Sequence, residues 1–115
     1  MIQNQMDILN VPSTLGEILQ DRAASPGGLQ RTFVLQNLGS TTLQLQFEDS
    51  VNGADWSIID QAFSLNAGAS VIKNLTTANA VRLRGSGGAA SNDLLVQLTR
   101  FVTRSTPVLW VQGQM

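Results

Sequence analysis

Hydrophobic and polar residues alternate most regularly in the stretch Thr42–Trp56, which reads TLQLQFEDSVNGADW. Leu43, Leu45 and Phe47 would lie on one side of an extended chain, and the polar residues between them on the other. This period of two predicts a half-buried β-strand. Asn52-Gly53 tolerates positive φ, so it favours a tight turn before a return strand. The stretch therefore predicts a β-hairpin near the middle of the chain.

The same pattern predicts seven or eight short strands along the chain, separated by turn signals. They cover residues 17–21, 29–37, 42–49, 56–65 with a break near Asp60, 70–75, 80–84 and 94–104. Residues 14–24 also fit a short helix, because Thr14 and Glu17 have the spacing of a capping box. The connection at 85–92 is rich in glycine, serine and alanine, which predicts a flexible loop. We expect an all-β fold, a single antiparallel β-sandwich of immunoglobulin-like or jelly-roll type, with a closed barrel as the main alternative.

The chain shows no internal repeat and no linker, so we expect residues 1–115 to form one domain. Residues 1–12 predict an extended N-terminal arm with apolar side chains, which ends at Pro12 because proline cannot donate to a strand ladder. This arm either folds onto its own domain or reaches a neighbouring subunit. Residues 107–115 predict a C-terminal strand or tail that contains the apolar run Val108–Val111.

The composition excludes several classes of function. The chain has no cysteine and no histidine, which removes thiolate and imidazole chemistry, the usual zinc sites and a histidine-activated nucleophile. Its seven basic and eight acidic side chains are scattered and give a net charge of −1. No basic footprint for nucleic acid or an anionic membrane is present. We therefore expect a protein that is not an enzyme and needs no cofactor.

The N-terminal sequence MIQNQMDILNV has neither the basic region nor the long apolar core of a signal peptide. No apolar run approaches the roughly 18 residues that would span a bilayer. Charged residues make up 13% of the chain, about half of the usual share, and uncharged polar residues replace them. Such a surface suits large contacts with other proteins. We expect a soluble product of the cytoplasm, or one released by lysis inside an assembled particle.

Acidic and amide side chains around the predicted hairpin offer the oxygen ligands that calcium prefers. These residues are Asp49, Asn52, Asp55 and Asp60. Their spacing does not match a calcium-binding loop, and the same residue types are ordinary turn formers. We therefore expect no metal site.

Arginines on two predicted strands are candidates for contact with an acidic partner. Arg82 and Arg84 share the outward face of one strand, and Arg100 and Arg104 lie on the next. Arg100 is in phase with the apolar residues of its strand, so it needs a bulge or the strand end to reach water. A solvated sheet face would explain the same charges.

The two tryptophans have different expected positions. Trp56 follows the hairpin turn, where a tryptophan of a small sandwich is usually in the core, whereas Trp110 lies near the chain end and could anchor an interface. An exposed tryptophan could instead stack on a sugar. The residues that we expect at contacts with another subunit or a partner protein are Ile2, Met6, Ile8, Arg82, Arg84, Leu109 and Trp110.

Four stretches occur in an order that resembles small β-sandwich proteins of tailed-phage particles, in particular capsid decoration (cement) proteins. They are FVLQNLGSTTLQLQFEDSVNGADW from Phe33 to Trp56, LNAGAS from Leu65 to Ser70, VRLRGSGG from Val81 to Gly88 and LLVQLTRF from Leu94 to Phe101. The resemblance covers roughly residues 29–104 and leaves out both ends of the chain.

This resemblance implies a protein that binds the major capsid protein outside the phage head, often as a trimer at three-fold positions, and bridges capsid subunits. A ligand that binds only the mature shell stabilises it by mass action. Two alternatives stay open. One is a structural component of the tail, neck or fibre, and the other is a carbohydrate-binding module that attaches the virion to a surface glycan.

Overall fold

The computed structural model describes residues 2–23 and 28–102. Within these ranges the chain forms nine β-strands and no helix. The strands are β1 (Ile2–Leu9), β2 (Gly16–Asp21), β3 (Leu29–Asn37), β4 (Leu43–Ser50), β5 (Ser57–Ile58), β6 (Phe63–Leu65), β7 (Ser70–Thr76), β8 (Ala80–Ser86) and β9 (Leu94–Val102). The segment that also fitted a helix is strand β2. The part of the chain described here contains no helix long and apolar enough to cross a bilayer.

The strands form two antiparallel sheets. Sheet A has the order β1-β9-β3-β7, and sheet B has the order β2-β8-β4-β5, with β6 also paired to β4. Strands β5 and β6 pair with different parts of β4, so together they fill one edge position as a strand broken around Asp60. Counted this way, the two four-stranded sheets have the connectivity of a jelly roll. The predicted β-sandwich is confirmed, and it is not a closed barrel.

The core lies between the two sheets and consists mainly of inward residues of β3, β4, β8 and β9. Phe33 of β3 and Phe47 of β4 meet at its centre, with ring centroids 4.7 Å apart. Both are fully buried, as are Leu35, Leu45 and Leu83. The alternation that predicts these strands therefore also identifies their buried faces.

A buried ion cluster links the two sheets at one end of the sandwich. Arg31 of β3 is fully buried and Asp21 of β2 is 6% exposed. The Nε atom of Arg31 donates to Asp21 Oδ2 at 2.7 Å, and Nε of Arg100 donates to the same oxygen at 2.8 Å. Arg31 also donates to the carbonyl oxygens of Ala23 and Asn79. One carboxylate thus compensates two arginines that face each other on β3 and β9.

Burial alone would raise the pKa of Asp21, but the hydrogen bonds from Arg100 and Arg31 outweigh it and hold the pKa below the ordinary value of 3.8. Hydrogen bonds of this kind, between charged groups, are stronger than neutral ones. Asp21 is therefore charged across the physiological pH range.

The connection between β8 and β9, predicted as flexible, is organised around the buried carboxylate of Asp93. This carboxylate accepts backbone hydrogen bonds from Val11, Ala89 and Ser91. Burial would raise the pKa of Asp93, but these backbone donors lower it. Gly88 lies directly against the chain after β1, because a Cβ there would overlap the carbonyl oxygen of Val11. The loop and the segment that leaves β1 thus form one unit.

We expect Asp21→Asn to lower the free energy of unfolding by roughly 3–5 kcal/mol at pH 7, because it leaves two arginines without their carboxylate. The folded-state pKa of Asp21 is lowered, so its contribution is present above 3.8 and is lost as the pH falls through the folded-state value. Denaturant unfolding should therefore show a smaller difference in the free energy of unfolding between variant and wild type at acid pH than at pH 7. Asp55→Asn, in an exposed loop, is the control; equal stability of Asp21→Asn and wild type at pH 7 would contradict the role of the cluster.

We expect Gly88→Ala to destabilise the domain by roughly 1–3 kcal/mol, because the added methyl group overlaps the backbone of the β1–β2 connection. Gly39→Ala is the matched control, since a Cβ at that position would have ordinary contacts of 3.5 and 3.6 Å. Thermal unfolding of both variants measures the difference. Equal melting temperatures would show that this loop can move away from Val11 at little cost.

Candidate functional site

The outward side of sheet A is the candidate functional site, and we call it the outer face of sheet A. It is formed by the residues of β1, β9, β3 and β7 whose phase is opposite to the buried residues of these strands. Its members are Asn4, Met6, Ile8, Gln30, Thr32, Val34, Gln36, Ser70, Ile72, Asn74, Thr76, Leu95, Gln97, Thr99 and Phe101.

This face carries no charged residue among its described members. The four strands contain four charged residues, namely Asp7, Arg31, Lys73 and Arg100. All four have the opposite phase and belong to the inner side of the sheet. Charged side chains usually dominate the solvated face of a sheet, so a neutral outer face suits a surface that binds protein.

Large apolar side chains are exposed on this face. Met6 is 65% exposed, Ile8 55%, Ile72 63% and Phe101 44%. Met6 and Ile72 lie at opposite edges of one cross-strand row, with Gln97 and Val34 between them. Complete burial of such a side chain contributes roughly 1.5–3 kcal/mol, so a partner that covers several of them gains substantial binding energy.

Hydrogen bonds between side chains order the polar part of the face. The hydroxyl of Thr99 donates to Asn4 Oδ1 at 2.9 Å, and that of Thr32 donates to Asn74 Oδ1 at 2.8 Å. These four residues form one row across the whole sheet. Their side chains are therefore held in place before any partner binds, which reduces the entropy cost of association.

The predicted N-terminal arm is strand β1 of the domain's own sheet. Its residues from Ile2 to Leu9 pair with β9 from Phe101 back to Leu94. The sequence left open whether this segment folds onto its own domain or reaches a neighbouring subunit. The structure shows it on its own domain. Met6 and Ile8, two of the expected contact residues, project from the outer face.

Arg82 and Arg84 lie on the outward side of sheet B, as their alternation predicts, but both contact Glu48. Arg82 Nη2 is 2.6 Å from Glu48 Oε1, and Arg84 Nη1 is 3.4 Å from Oε2. Glu48 is only 4% exposed. Burial would raise the pKa of Glu48, but hydrogen bonds from Gln46 and Arg82 and the two positive charges lower it. Much of the arginine charge is thus neutralised within the domain.

The predicted basic patch that joins two strands does not form among the described residues. Arg100 follows the phase of its strand, points to the inner side of sheet A and binds Asp21 and Gln5. Arg82 and Arg84 belong to the other sheet. A buried carboxylate satisfies Arg100, so it needs neither a bulge nor the strand end. Arg104 lies outside the described residues.

Trp56 does not lie in the core, contrary to the prediction. It is half-buried beside the outer side of sheet B. The guanidinium carbon of Arg82 lies 4.5 Å from the centre of its ring, a cation–π contact. Leu109 and Trp110, the other expected contact residues near the chain end, lie outside the described residues, and so does the side chain of Ile2.

The acidic residues around the hairpin serve separate hydrogen bonds. Asp49 accepts from Thr77 and Asn79 at 3.2 and 3.0 Å, and Asp60 lies 3.6 Å from the ammonium group of Lys73. Asn52 instead orders its own turn, where its side-chain oxygen accepts from two backbone amides. In residues 2–23 and 28–102 no three acidic side chains form a group that could hold a metal ion.

Comparison with known proteins identifies the fold. No protein family matches the sequence, and no curated protein matches it either. Among solved structures, a subunit from work describing Bacillus endospore appendages as a family of disulfide-linked pili is similar, with a TM-score of 0.62 and 13% identity, over 89% of this chain and 87% of that one. The crystal structure of PirA is similar with a TM-score of 0.52 and 10% identity, over 87% of this chain and 91% of that one. At these identities the likeness extends to the fold alone.

We expect substitutions on the outer face of sheet A to leave the stability of the domain nearly unchanged. Ile72→Thr should change the free energy of unfolding by less than about 0.5 kcal/mol, because the side chain is mostly in water. Leu98→Ala, on the buried side of β9 in the same sheet, should cost roughly 2–5 kcal/mol. Denaturant unfolding compares the two variants. A large loss for Ile72→Thr would show that this face supports the fold.

Proposed function

We propose that this protein is a non-enzymatic structural subunit of a larger protein assembly, and that it binds its partner through the outer face of sheet A. The observation that carries this proposal is the neutral character of that face, where exposed Met6, Ile8 and Ile72 stand among ordered amide and hydroxyl groups. Such a surface resembles the core of a protein interface, where charged residues are depleted. The jelly-roll fold, which recurs in viral capsid domains, agrees with it.

The assembly that we propose is a phage capsid, with this protein on its exterior and the major capsid protein as its partner. The sequence resemblance to capsid decoration proteins supports this choice. A protein that binds only the mature shell would stabilise it against internal pressure by mass action. It would be made in the host cytoplasm and join the shell during assembly.

Copies of the same chain are the second partner that we propose, in the form of a trimer at three-fold positions. We propose neither a nucleic acid nor a membrane as a partner. Binding to phosphate groups requires exposed cations, and the described members of the outer face contain none.

A structural subunit of a tail, neck or fibre is the second candidate function. The pilus protein, which shares the fold over most of both chains, favours this candidate. That protein belongs to a family of disulfide-linked pili, whereas this chain contains no cysteine. Any filament of this protein would therefore depend on non-covalent contacts.

Carbohydrate binding has less support from the described residues. Stacking on a sugar needs an open aromatic face, and the ring of Trp56 is half-buried with Arg82 packed over it. Binding of the purified protein to a glycan array, lost in Trp56→Ala, would favour attachment to a surface glycan over the structural role.

The test of the proposed function is binding to purified shells of the phage that encodes the protein, prepared without it. We expect the protein to cosediment with expanded shells and to raise the temperature at which they release DNA. The double variant Met6→Lys/Ile72→Lys should weaken binding by at least about tenfold, because each lysine places a charge in the interface core. Sedimentation with increasing protein concentration measures the affinity.

Val51→Lys is the matched control for this experiment. Val51 is 88% exposed in the loop after β4, so the same change of apolar residue to lysine occurs away from sheet A. Normal binding of this control alongside loss in the double variant would support the proposed surface. No cosedimentation of the wild type would contradict the capsid role, and filaments of the purified protein in electron micrographs would favour the second candidate.

A further inference from the structure

The two edges of sheet A are suited to pair with each other in neighbouring copies of this chain. Strand β1 forms one edge and β7 the other. Each edge strand has one side paired inside the sheet. No described residue pairs with its opposite side, so the backbone amide and carbonyl groups there can pair with another strand.

Natural sheets usually protect their edges, and sheet B does so. Its edge strand β2 has a register shift between Glu17 and Leu19, and its other edge is broken between β5 and β6. In contrast, β1 pairs with β9 over 8 residues and β7 pairs with β3 over 7 residues without a shift. Both edges of sheet A are therefore regular enough to accept another strand.

Strand directions allow the two edges to join. Each of the pairs β1–β9, β9–β3 and β3–β7 is antiparallel, so β1 and β7 run in opposite directions. When a second copy is placed beside β7 in the same orientation, its β1 continues the alternation. The junction would be an ordinary antiparallel pair.

The charges on these edges are complementary. Asp7 is the only charged residue of β1, and Lys73 is the only one of β7. Both belong to the inner phase of sheet A. Among the described residues of its own copy, Lys73 contacts one carboxylate, that of Asp60 at 3.6 Å. An ammonium group has three N–H donors, so Lys73 can also donate to a second carboxylate.

We propose that β7 of one copy pairs with β1 of the next, in the antiparallel register that places Lys73 opposite Asp7 of the neighbouring copy. This register aligns residues 70–76 with residues 10–4 of the neighbour. It places Ile72 opposite Ile8 on the outer face, where opposed side chains of one face interact. The partner for these edges is thus a second copy of the same chain.

The same register extends the core across the junction. Val71 of one copy lies opposite Leu9 of the other. Each is a partly buried side chain packed against the core of its own domain. Pairing would remove both from water, so the junction gains apolar burial in addition to backbone hydrogen bonds and one charge pair.

A junction of this kind uses two different surfaces of each copy and is therefore heterologous. It closes into a ring if the rotation between copies allows, and otherwise produces an open filament. The inference concerns contacts between copies only, so it stands or falls independently of capsid binding.

Disulfide trapping tests this junction, and the absence of native cysteine makes the experiment clean. We would oxidise the double variant Ile8→Cys/Ile72→Cys at micromolar concentration and separate the products without reductant. The two cysteines cannot join within one copy, because three strand spacings separate them by about 14 Å and a disulfide spans less than about 7 Å between Cα atoms. We expect covalent trimers or a ladder of higher oligomers.

Three control variants make the result specific. The single variants Ile8→Cys and Ile72→Cys should remain monomeric, because neither edge pairs with its own kind. Asn4→Cys/Ile72→Cys should also remain monomeric, because Asn4 is four residues, or about 13 Å, out of register along β1. If the first double variant stays monomeric, or if the single variants form dimers with equal yield, the proposed junction is wrong.

Charge reversal provides a second test that leaves the cysteines in place. Asp7→Lys, added to the Ile8→Cys/Ile72→Cys variant, should reduce the rate of crosslinking by about tenfold, because two lysines then oppose each other. Asp55→Lys causes the same change in net charge in an exposed loop and should leave the rate unchanged. An equal effect of both substitutions would contradict a specific pair between Asp7 and Lys73.

Discussion

Alternation of side chains along each strand is the constraint on which the rest of this structure depends. A strand that buries one face in the core must present its other face elsewhere. In sheet A this divides the residues sharply, because every charged side chain of its four strands has the inner phase. The charged side chains of the inner phase lie at the ends and edges of the core, and the outer face carries no charge. A surface free of charge thus results from the same pattern that builds the fold.

Local patterns predicted the strands well but could not predict which strands pair. The alternation around Phe47 identified the centre of the core, and the break near Asp60 followed from the same pattern. The burial of Arg31 could not be foreseen, because its partner Asp21 is ten residues away along the chain and on the other sheet. An arginine in phase with apolar residues was the available signal, since such a side chain requires a carboxylate inside the protein. Arg100 carried this signal and was interpreted as a surface residue.

To predict the candidate surface, the order of the strands in the sheet must be known as well as the strands themselves. Met6 and Ile8 were identified as contact residues because they lie in an apolar N-terminal segment. Ile72 was missed, because one isoleucine on a short strand has no distinctive pattern. Only the order β1-β9-β3-β7 shows that these side chains share one face. The fold itself does not decide the function, since jelly rolls serve capsids, lectins and enzymes alike.

The neutral outer face of sheet A also has a consequence for the speed and the salt dependence of association. Without a field to attract a partner over long distances, encounter rates stay near 10⁵–10⁶ M⁻¹s⁻¹, well below those of electrostatically steered pairs. Ions in solution have little to screen, so affinity through this face should vary little with ionic strength. Binding through this face would therefore depend on the local concentration of the partner and not on long-range electrostatic attraction.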